Sequence, residues 1–283
     1  KVLAEWVTEG GTEWDMWSCD PRRFTGWEDH DYLVQKGKEV YGHEYAIHFP
    51  MARWPTAPDR KLSPLHDRVK AAGGQMAPYN GWERAEWYAR PGDDTSWETT
   101  QTFRRAGPWE ARIKAECEAV RDGCGILDLP GFTRLRVTGP GARDHVASLI
   151  AGRMPAPGRI GLAYFPDHRG RILTEMTVIA EGPESVTLIT AAVAQLHDRA
   201  VIERGLPAGC TVQDVTEAAT CLIVTGPTSR ALLSPLTDAD LSLPWLSVQS
   251  ATVAGRSAML VRVSFAGELG WEIHAAPENA PAI

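Results

Sequence analysis

Val137-Thr138-Gly139-Pro140-Gly141-Ala142-Arg143-Asp144 has the pattern of a strand end, a tight turn and a helix start. The pattern returns in a weaker form as Val224-Thr225-Gly226-Pro227-Thr228-Ser229-Arg230-Ala231. Two copies so far apart do not make a solenoid, whose repeats of roughly 20–50 residues follow one another directly. The repeat therefore predicts two similarly built lobes.

The residues around the first copy predict the element order β-α-β-β-β-α-β. Apolar and charged residues alternate in Arg134-Leu135-Arg136-Val137, which indicates a strand with one buried face. After the helix that begins near residue 141, further strands are predicted around 160–165, 172–179 and 186–190, then a helix over 194–204 and a strand over 211–216. This order predicts an α+β fold of mostly antiparallel sheets packed with helices.

The composition is that of an acidic globular protein. Of the 283 residues 43% are hydrophobic, and 29 Lys+Arg against 36 Asp+Glu give a net charge of −7. These values exclude disordered, collagen-like and coiled-coil classes. The acidic balance argues against a nucleic-acid partner. We also expect no membrane partner, because no apolar run approaches the roughly 20 residues that cross a bilayer and no signal peptide opens the chain.

The five cysteines are expected to be free thiols, since their number is odd and no CxxC pair occurs. Unpaired cysteines are typical of reducing compartments, which favours a cytoplasmic protein. Nine of the eleven tryptophans lie in residues 1–109, which suggests two structural neighbourhoods. Residues 1–10 have helical spacing but nothing upstream to cover their apolar side chains. We therefore expect the sequence to be a piece of a longer polypeptide.

Two motifs suggest ligand sites that their spacing does not support. Gly139-Pro-Gly141-Ala-Arg-Asp144 is similar to a GxGxxG dinucleotide loop, but Asp144 replaces the third Gly and would put a carboxylate near the pyrophosphate. His43 and His48 are five residues apart, not four as in a zinc-protease helix, and they diverge on a helix surface. We predict a turn at the first motif and no metal site.

Residues 261–273 predict a β-hairpin with two acidic residues. The segment alternates into a strand, turns at 266–270 and alternates out again, which puts Glu268 at the bend and Glu272 on the returning strand. A carboxylate offers two acceptor oxygens side by side, and these match a planar ligand edge with two adjacent donors, such as that of a pterin. Spacing alone leaves open a second interpretation, in which Glu272 is a solvated side chain on an outward strand face.

Two segments carry a family resemblance. Phe265-Ala-Gly-Glu-Leu-Gly-Trp-Glu272 resembles the Tyr-Thr-Gly-Glu-x-Gly-x-Glu motif of glycine-cleavage T-proteins, the folate-dependent aminomethyltransferases. Gly170-Arg-Ile-Leu-Thr-Glu175-Met-Thr-Val178 is similar to that family's Gly-Gly-x-x-Asp-Asp-Leu-x-Val strand. Other segments resemble dimethylglycine and sarcosine dehydrogenases, which join an FAD domain to a T-protein-like domain: Leu3-Ala-Glu-Trp6, Asp20-Pro-Arg-Arg-Phe24, Tyr41-Gly42, residues 78–87 and Leu196-His-Asp198.

The resemblance implies T-protein-like lobes, including a ferredoxin-like subdomain. Residues 1–60 would be the tail of an upstream flavin domain and a linker. Residues 61–127 plus 214–283 would form the first lobe, C-terminally incomplete, and residues 128–213 the second, ferredoxin-like lobe. The Gly-rich loop that holds FAD would lie before Lys1, and the rest of the folate domain after Ile283.

The resemblance also implies a function. The flavin half would oxidise an N-methyl group of dimethylglycine or sarcosine, and tetrahydrofolate would trap the carbon as 5,10-methylenetetrahydrofolate. The implied cofactors are tetrahydrofolate and, in the upstream domain, FAD. The implied partners are folate, an N-methylated amine and the neighbouring domains of the same polypeptide. The 283-residue chain alone is expected to be inactive.

The site residues follow from the motifs position by position. Glu272 corresponds to the Glu that anchors the pterin, and Glu175 corresponds to the family's second Asp, the catalytic candidate that takes up or orients a proton. The other folate-binding candidates are Phe265, Phe132, Leu162 and Ala191. Three of these depart from the family, because Phe265 replaces a Tyr, and Leu162 and Ala191 stand where T-proteins often have Tyr and Asn.

Two alternative functions stay open. The chain could be a non-catalytic, T-protein-like structural lobe of the flavoenzyme, since its pocket would lack several polar groups. It could also be a stand-alone aminomethyl- or demethyl-transferase, against which the flavoprotein-like residues 1–60 argue.

Overall fold

The described part of the chain contains two five-stranded sheets and a two-stranded hairpin. A computed structural model describes residues 1–14, 16–24, 26–49, 54–96, 103, 107–264 and 266–283. The strands are β1 (Gly74–Tyr79), β2 (Trp82–Tyr88), β3 (Gly125–Asp128), β4 (Phe132–Thr138), β5 (Ile160–Pro166), β6 (Ile172–Ala180), β7 (Ser185–Ala191), β8 (Thr211–Asp214), β9 (Thr220–Thr225), β10 (Val248–Val253), β11 (Arg256–Val261) and β12 (Gly270–Ala275). The α-helices are α1 (Val2–Glu9), α2 (His30–Gly42), α3 (His66–Ala71), α4 (Glu110–Asp122), α5 (Ala142–Leu149), α6 (Gln195–Glu203) and α7 (Ser229–Leu233).

Sheet I has the strand order β5-β6-β7-β4-β8. Helix α5 follows β4 and helix α6 follows β7, so the chain has the predicted order β-α-β-β-β-α-β. Its four strands β8-β4-β7-β6 have ferredoxin-like topology, and β5 is added beside β6 as an outer strand. Each neighbouring pair is antiparallel. The predicted α+β fold of mostly antiparallel sheets is confirmed.

Sheet II has the strand order β10-β11-β12-β9-β3, again with every neighbouring pair antiparallel. Strand β3 precedes sheet I in the chain, and strands β9 to β12 follow it. The chain therefore enters sheet II, leaves it to build sheet I, and returns. The hairpin predicted over residues 261–273 corresponds to the connection between β11 and β12.

The repeated Val-Thr-Gly-Pro turn has a backbone reason. Gly139 and Gly226, at the two copies, have φ of +119° and +122°. A Cβ on Gly139 would lie 2.3 Å from the carbonyl oxygen of Gly209, and one on Gly226 would lie 2.3 Å from that of Gly123. Each strand thus ends where another backbone segment passes too closely for any side chain. The repeat marks the same close approach in both lobes.

Each sheet has one face packed in its own apolar core. The core of sheet I is formed by strand and helix residues that include Leu135, Val137, Val146, Met176, Leu188 and Ile202. The core of sheet II includes Leu65, Leu222, Val224, Leu233, Leu260, Trp271 and Ile273. Side chains alternate along a strand, so the opposite faces of the two sheets remain for a different contact.

The opposite faces of the two sheets pack against each other. Ile160 and Ile179 of sheet I and Val261 of sheet II are buried together in a third apolar cluster. The backbone N–H of Ile160 donates to the carbonyl of Leu246 at 2.9 Å, which ties β5 to the segment before β10. This apolar contact fixes the position of one sheet against the other.

The N-terminal helices are exposed. Helices α1 and α2 contain no buried residue, and their apolar side chains Leu3, Val7 and Tyr41 are more than two-thirds exposed. Among the described residues, no helix combines the length and the apolar character needed to cross a membrane. The five cysteines are free thiols, as predicted.

We predict that Gly139→Ala and Gly226→Ala each destabilise the protein by more than about 2 kcal/mol, because a Cβ at either position meets a backbone oxygen in a conformation that L-residues avoid. Gly182→Ala is the matched control, since nothing lies within 4 Å of its added Cβ. Urea unfolding midpoints of the three variants measure the effect. Equal midpoints for all three would contradict the explanation of the repeat.

Candidate functional site

A polar cluster lies between the facing sides of sheets I and II. Glu272 and His274 are next-but-one neighbours on β12, so their side chains lie on the same face of sheet II. Cys221 on β9 is directly opposite His274 and shares that face. Arg134 reaches the cluster from β4 of sheet I. The cluster therefore connects the two sheets beside their apolar contact.

A cleft and a smaller recess lie at this cluster. The cleft has a volume of about 450 Å³, within the roughly 300–1,000 Å³ of small-molecule sites. The recess has a volume of about 80 Å³, and Glu272 and His274 lie in its wall. The two cavities share four wall residues, Leu129, Phe132, Arg134 and Cys221. Because the cleft and the recess share these wall residues, they are neighbouring parts of one site.

Arg134, His274 and Glu272 form a chain of hydrogen bonds. Arg134 Nη2 lies 3.3 Å from His274 Nδ1, and His274 Nε2 lies 2.9 Å from Glu272 Oε2. A guanidinium has only donors, so Nδ1 is the acceptor and the imidazole proton is on Nε2. Nε2–H then donates to the Glu272 carboxylate. His274 is thus held as a neutral imidazole in one tautomer.

Only the last member of this chain of hydrogen bonds is accessible to solvent. Arg134 Nη1 donates to the backbone carbonyls of Ala219 at 3.0 Å and Thr216 at 3.5 Å. Arg134 is 7% exposed and His274 is 5% exposed. The Glu272 side chain, in contrast, is 28% exposed. The chain therefore begins in the protein interior and ends at a carboxylate that a ligand can reach.

Burial also sets the ionisation of the cluster. Burial lowers the pKa of His274 below its usual 6.5 and the Arg134 charge lowers it further, while the bond to Glu272 acts in the opposite direction. Burial raises the pKa of the Cys221 thiol well above 9.0, and the Glu272 charge adds to this. Burial lowers the pKa of Arg134 too, but a guanidinium keeps its charge at neutral pH. At neutral pH the imidazole and the thiol are uncharged.

The cluster has the residue types of a metal site but not the proton arrangement. Ligand atoms of Cys221, Glu272 and His274 all lie within 4.8 Å of one another. A metal ion would need the Nε2 lone pair, and Nδ1 would then carry a proton directed at the Arg134 donor. The positive charge of Arg134 would also repel the ion. The cluster therefore favours hydrogen bonding over metal binding.

The wall of the cleft is mainly positive. Its charged residues are Arg60, Lys61, Arg134 and Glu217. Arg60 is paired with Asp29 at 2.7 Å. Lys61 Nζ lies 5.7 Å from the centroid of the Trp82 ring, and burial lowers the pKa of this lysine. The cleft therefore suits a ligand that carries an anionic group.

Four of the predicted site residues share the face of sheet I that looks toward sheet II: Phe132, Leu162, Glu175 and Ala191. Phe132 and Ala191 are directly opposite each other on β4 and β7. Thr177 of β6 connects the others, since it is paired with Leu162 and Ile189 and lies next but one to Glu175. Residues paired across antiparallel strands lie on the same face.

Exposure separates these predicted residues. Phe132 lies in the wall of both cavities. Leu162 is 56% exposed, and Glu175 is exposed and lies outside both cavity walls as the described residues form them. Of the two acidic candidates, Glu272 lies in the wall of the recess and Glu175 lies in neither cavity wall. Phe265 lies outside the described residues.

Three members of the cluster, Arg134, Cys221 and His274, were not predicted from the sequence. His274 had a usable signal, because it follows Glu272 at the two-residue period of a strand and so shares its face. Arg134 had none, since its contact with His274 joins residues 140 positions apart. A charged residue in an alternating strand normally faces solvent, and only the packing of sheet II turns this one into a buried group.

We predict that His274 makes the protein less stable in mild acid. The pKa of His274 in the folded state lies below 6.5, its usual value in the unfolded chain. Between the folded-state and the unfolded-state pKa, the unfolded protein binds more protons, so the free energy of unfolding falls as the pH drops. The loss reaches about 1.4 kcal/mol per pH unit within this window. Urea unfolding at pH 7.5 and 5.5 measures it. His274→Gln should lose less stability between the two pH values, and equal losses would refute the prediction.

Relatives are known for both parts of this chain. The family model of the GCVT N-terminal domain matches residues 65–283, and that of the FAD dependent oxidoreductase central domain matches residues 9–63. Dimethylglycine dehydrogenase, mitochondrial, from Mus musculus is 29% identical over 100% of this chain and 33% of its own length. The 4-methylaminobutanoate oxidase (formaldehyde-forming) of Paenarthrobacter nicotinovorans is 30% identical over 99% of this chain and 34% of its own length. The chain thus spans about a third of these curated relatives.

A solved structure has the same fold. The glycine cleavage system aminomethyltransferase T from Bartonella henselae aligns with a TM-score of 0.62 and 20% sequence identity, over 78% of this chain and 55% of that chain. At this identity the likeness shows the fold alone, and it confirms the predicted T-protein-like fold. Because the model of the GCVT N-terminal domain family matches residues 65–283, this chain belongs to that family, and residues 9–63 before the matched region match the FAD dependent oxidoreductase central domain.

Proposed function

We propose that this chain is the folate-side module of an FAD-linked N-methylglycine dehydrogenase that acts on dimethylglycine or sarcosine. In this proposal tetrahydrofolate receives the oxidised methyl carbon and leaves as 5,10-methylenetetrahydrofolate. The family, the names of the relatives and the match of residues 9–63 support it. FAD would supply the oxidation and would be held by an upstream domain. The free cysteines are compatible with the reducing cytoplasm.

The observation that carries the proposal is the position of Glu272 and the hydrogen bond that holds its side chain. Its carboxylate lies in the wall of the recess and is partly exposed. His274 holds Oε2, while Oε1 has no hydrogen-bond partner among the described residues. A pterin presents a ring N–H and an exocyclic amine side by side, and an ionised carboxylate is the acceptor that matches this edge. A solvated surface Glu would not be held in this way.

Other residues would complete ligand binding and proton transfer. The Phe132 ring, in the wall of both cavities, would pack on the planar pterin. The positive wall of the cleft suits the carboxylates of the glutamate tail of folate. Glu175, on the same face of sheet I as Phe132, would accept the proton released when the folate nitrogen bonds to the carbon.

A second function is favoured by specific observations. Leu162 and Ala191 stand where T-proteins often have Tyr and Asn, and neither lies in a cavity wall as the described residues form it, while Glu175 is exposed. The bacterial relative is named a formaldehyde-forming oxidase. In this alternative the carbon leaves as formaldehyde, and the chain is a T-protein-like structural lobe that braces the flavin domain.

We predict that Glu272→Gln weakens folate binding in the full-length enzyme that carries this chain. The amide loses the charge-assisted acceptor, which should raise the Kd for tetrahydrofolate roughly 10- to 100-fold. With dimethylglycine and tetrahydrofolate supplied, more carbon should leave as formaldehyde and less as 5,10-methylenetetrahydrofolate. The rate of flavin reduction should not change, because the amine site lies outside this module in the proposal. Product analysis and stopped-flow absorbance measure these quantities.

Glu268→Gln is the matched control for this experiment. Glu268 is in the same hairpin, but its carboxylate accepts from Ser264 Oγ at 2.9 Å and lies outside both cavity walls. The control should keep the wild-type division between the two products. If the wild-type enzyme releases all carbon as formaldehyde in saturating tetrahydrofolate, the structural-lobe alternative is correct.

We predict the opposite pattern for Glu175→Gln. Because Glu175 is exposed and outside the cavity walls, the Kd for tetrahydrofolate should stay within about threefold of wild type, whereas carbon transfer should slow by roughly 100-fold, as for a lost general base. Single-turnover formation of 5,10-methylenetetrahydrofolate measures the transfer step. A wild-type transfer rate would remove Glu175 from the mechanism.

A further inference from the structure

We infer that Arg134 and His274 are positioning residues that hold Glu272 as an oriented acceptor, and that they thereby make the site select a ligand edge with two adjacent N–H donors. This inference rests on the proposed function, in which Glu272 binds the pterin. Neither Arg134 nor His274 needs to touch the ligand directly. Their contribution passes through the carboxylate.

The direction of the hydrogen bonds is fixed at the arginine. Arg134 can only donate, so His274 Nδ1, at 3.3 Å, accepts and Nε2 carries the proton. Nε2 lies 2.9 Å from Glu272 Oε2 and donates to it. With the opposite tautomer, both contacts would fail at once, since donor would face donor and lone pair would face lone pair. Arg134 therefore decides that Nε2 of His274 is the donor to Glu272.

Burial makes this arrangement rigid. Arg134 and His274 are both more than nine-tenths buried, and hydrogen bonds shielded from water are stronger than exposed ones. Backbone carbonyls of Thr216 and Ala219 hold the other end of the guanidinium. Rotation of the imidazole would break its bonds to Arg134 and Glu272, so the carboxylate stays in one orientation.

Stability alone does not explain a charge at position 134. Arg134 Nε is buried without a hydrogen-bond partner among the described residues, and an unpaired buried donor costs free energy. Packed apolar residues often replace buried charged groups without loss of stability. Phe132, Leu162, Thr177 and Ile189 of the same face are uncharged and need no such charge beside them. The residue that does use it is His274.

The orientation has a consequence for ligand selection. With Oε2 held by His274, Oε1 and the remaining lone pair of Oε2 lie side by side for a ligand. Such a pair favours two adjacent donors and penalises a ligand that lacks one of them, because an acceptor is then left unpaired. A freely rotating carboxylate would turn toward water and discriminate less. The hydrogen bonds from Arg134 through His274 to Glu272 therefore affect the selectivity of the site for its ligand as well as its affinity.

The test measures selectivity in the full-length enzyme that carries this chain. Two probes are used, 5-formyltetrahydrofolate and its 2-desamino-2-methyl analogue, which lacks one of the two adjacent donors. The readout is the selectivity ratio, the Kd of the analogue divided by the Kd of 5-formyltetrahydrofolate. His274→Phe should reduce this ratio roughly 10- to 100-fold, because the carboxylate loses its donor. His274→Gln, which keeps a donor near Nε2, should restore the ratio to within about threefold of wild type. Met259→Leu is the control, since Met259 is paired with His274 across β11 and β12 but is apolar.

A double-mutant cycle tests the role of Arg134. Arg134→Met should reduce the ratio in the wild-type background, because the imidazole is then free to change tautomer. The same substitution should have no further effect beside His274→Phe, since no imidazole remains to be fixed. If Arg134→Met does not fold, ¹⁵N NMR of the wild-type imidazole decides the point, and the inference requires an unprotonated Nδ1 and a protonated Nε2.

The outcomes separate this inference from the proposed function. If Glu272→Gln leaves the Kd of 5-formyltetrahydrofolate unchanged, the proposed function itself is wrong. If Glu272→Gln weakens binding but His274→Phe keeps the wild-type ratio, only the positioning role is overturned. Stoichiometric uptake of Zn²⁺ that depends on His274 would also overturn it, because the metal would require the lone pair that the inference assigns to a proton.

Discussion

The packing of two sheet faces against each other is the contact on which the site depends. Ile160 and Ile179 of sheet I meet Val261 of sheet II in an apolar cluster, and Arg134 crosses from one sheet to His274 on the other beside it. The apolar contact excludes water from the hydrogen bond between Arg134 and His274. This bond in turn pairs polar groups that would be costly to bury alone. A change in the distance between the sheets would alter the core and the site together.

Local sequence rules predict much of this fold. Alternating apolar residues identify the strands of sheet I because each strand has one face in a core. The Val-Thr-Gly-Pro repeat identifies two equivalent turns because Gly139 and Gly226 both meet a passing backbone. The hairpin that carries Glu272 was predictable for the same reason, since a strand, a Gly-rich turn and a second strand are adjacent in the sequence.

The composition of the site was less predictable, because alternation tells which residues share a face but not what covers that face. Glu175 and Phe132 lie on one face of sheet I, yet Phe132 lines the cavities and Glu175 is exposed. Sheet II covers only part of that face, the part that includes Arg134, Ile160 and Ile179, and no local pattern in the sequence states where this cover ends. Arg134 shows the same limit, since the residues that it contacts lie 82 to 140 positions away in the sequence.

The imidazole between Arg134 and Glu272 lets a buried cation orient the carboxylate without occupying both of its oxygens. A direct Arg–carboxylate pair is often bidentate and would occupy both oxygens of Glu272. That pair would be strong, but it would leave no acceptor for a ligand. His274 takes one oxygen with one donor and is itself fixed by the arginine behind it. The cation therefore orients the carboxylate from a distance, and the acceptor edge that a ligand needs remains free.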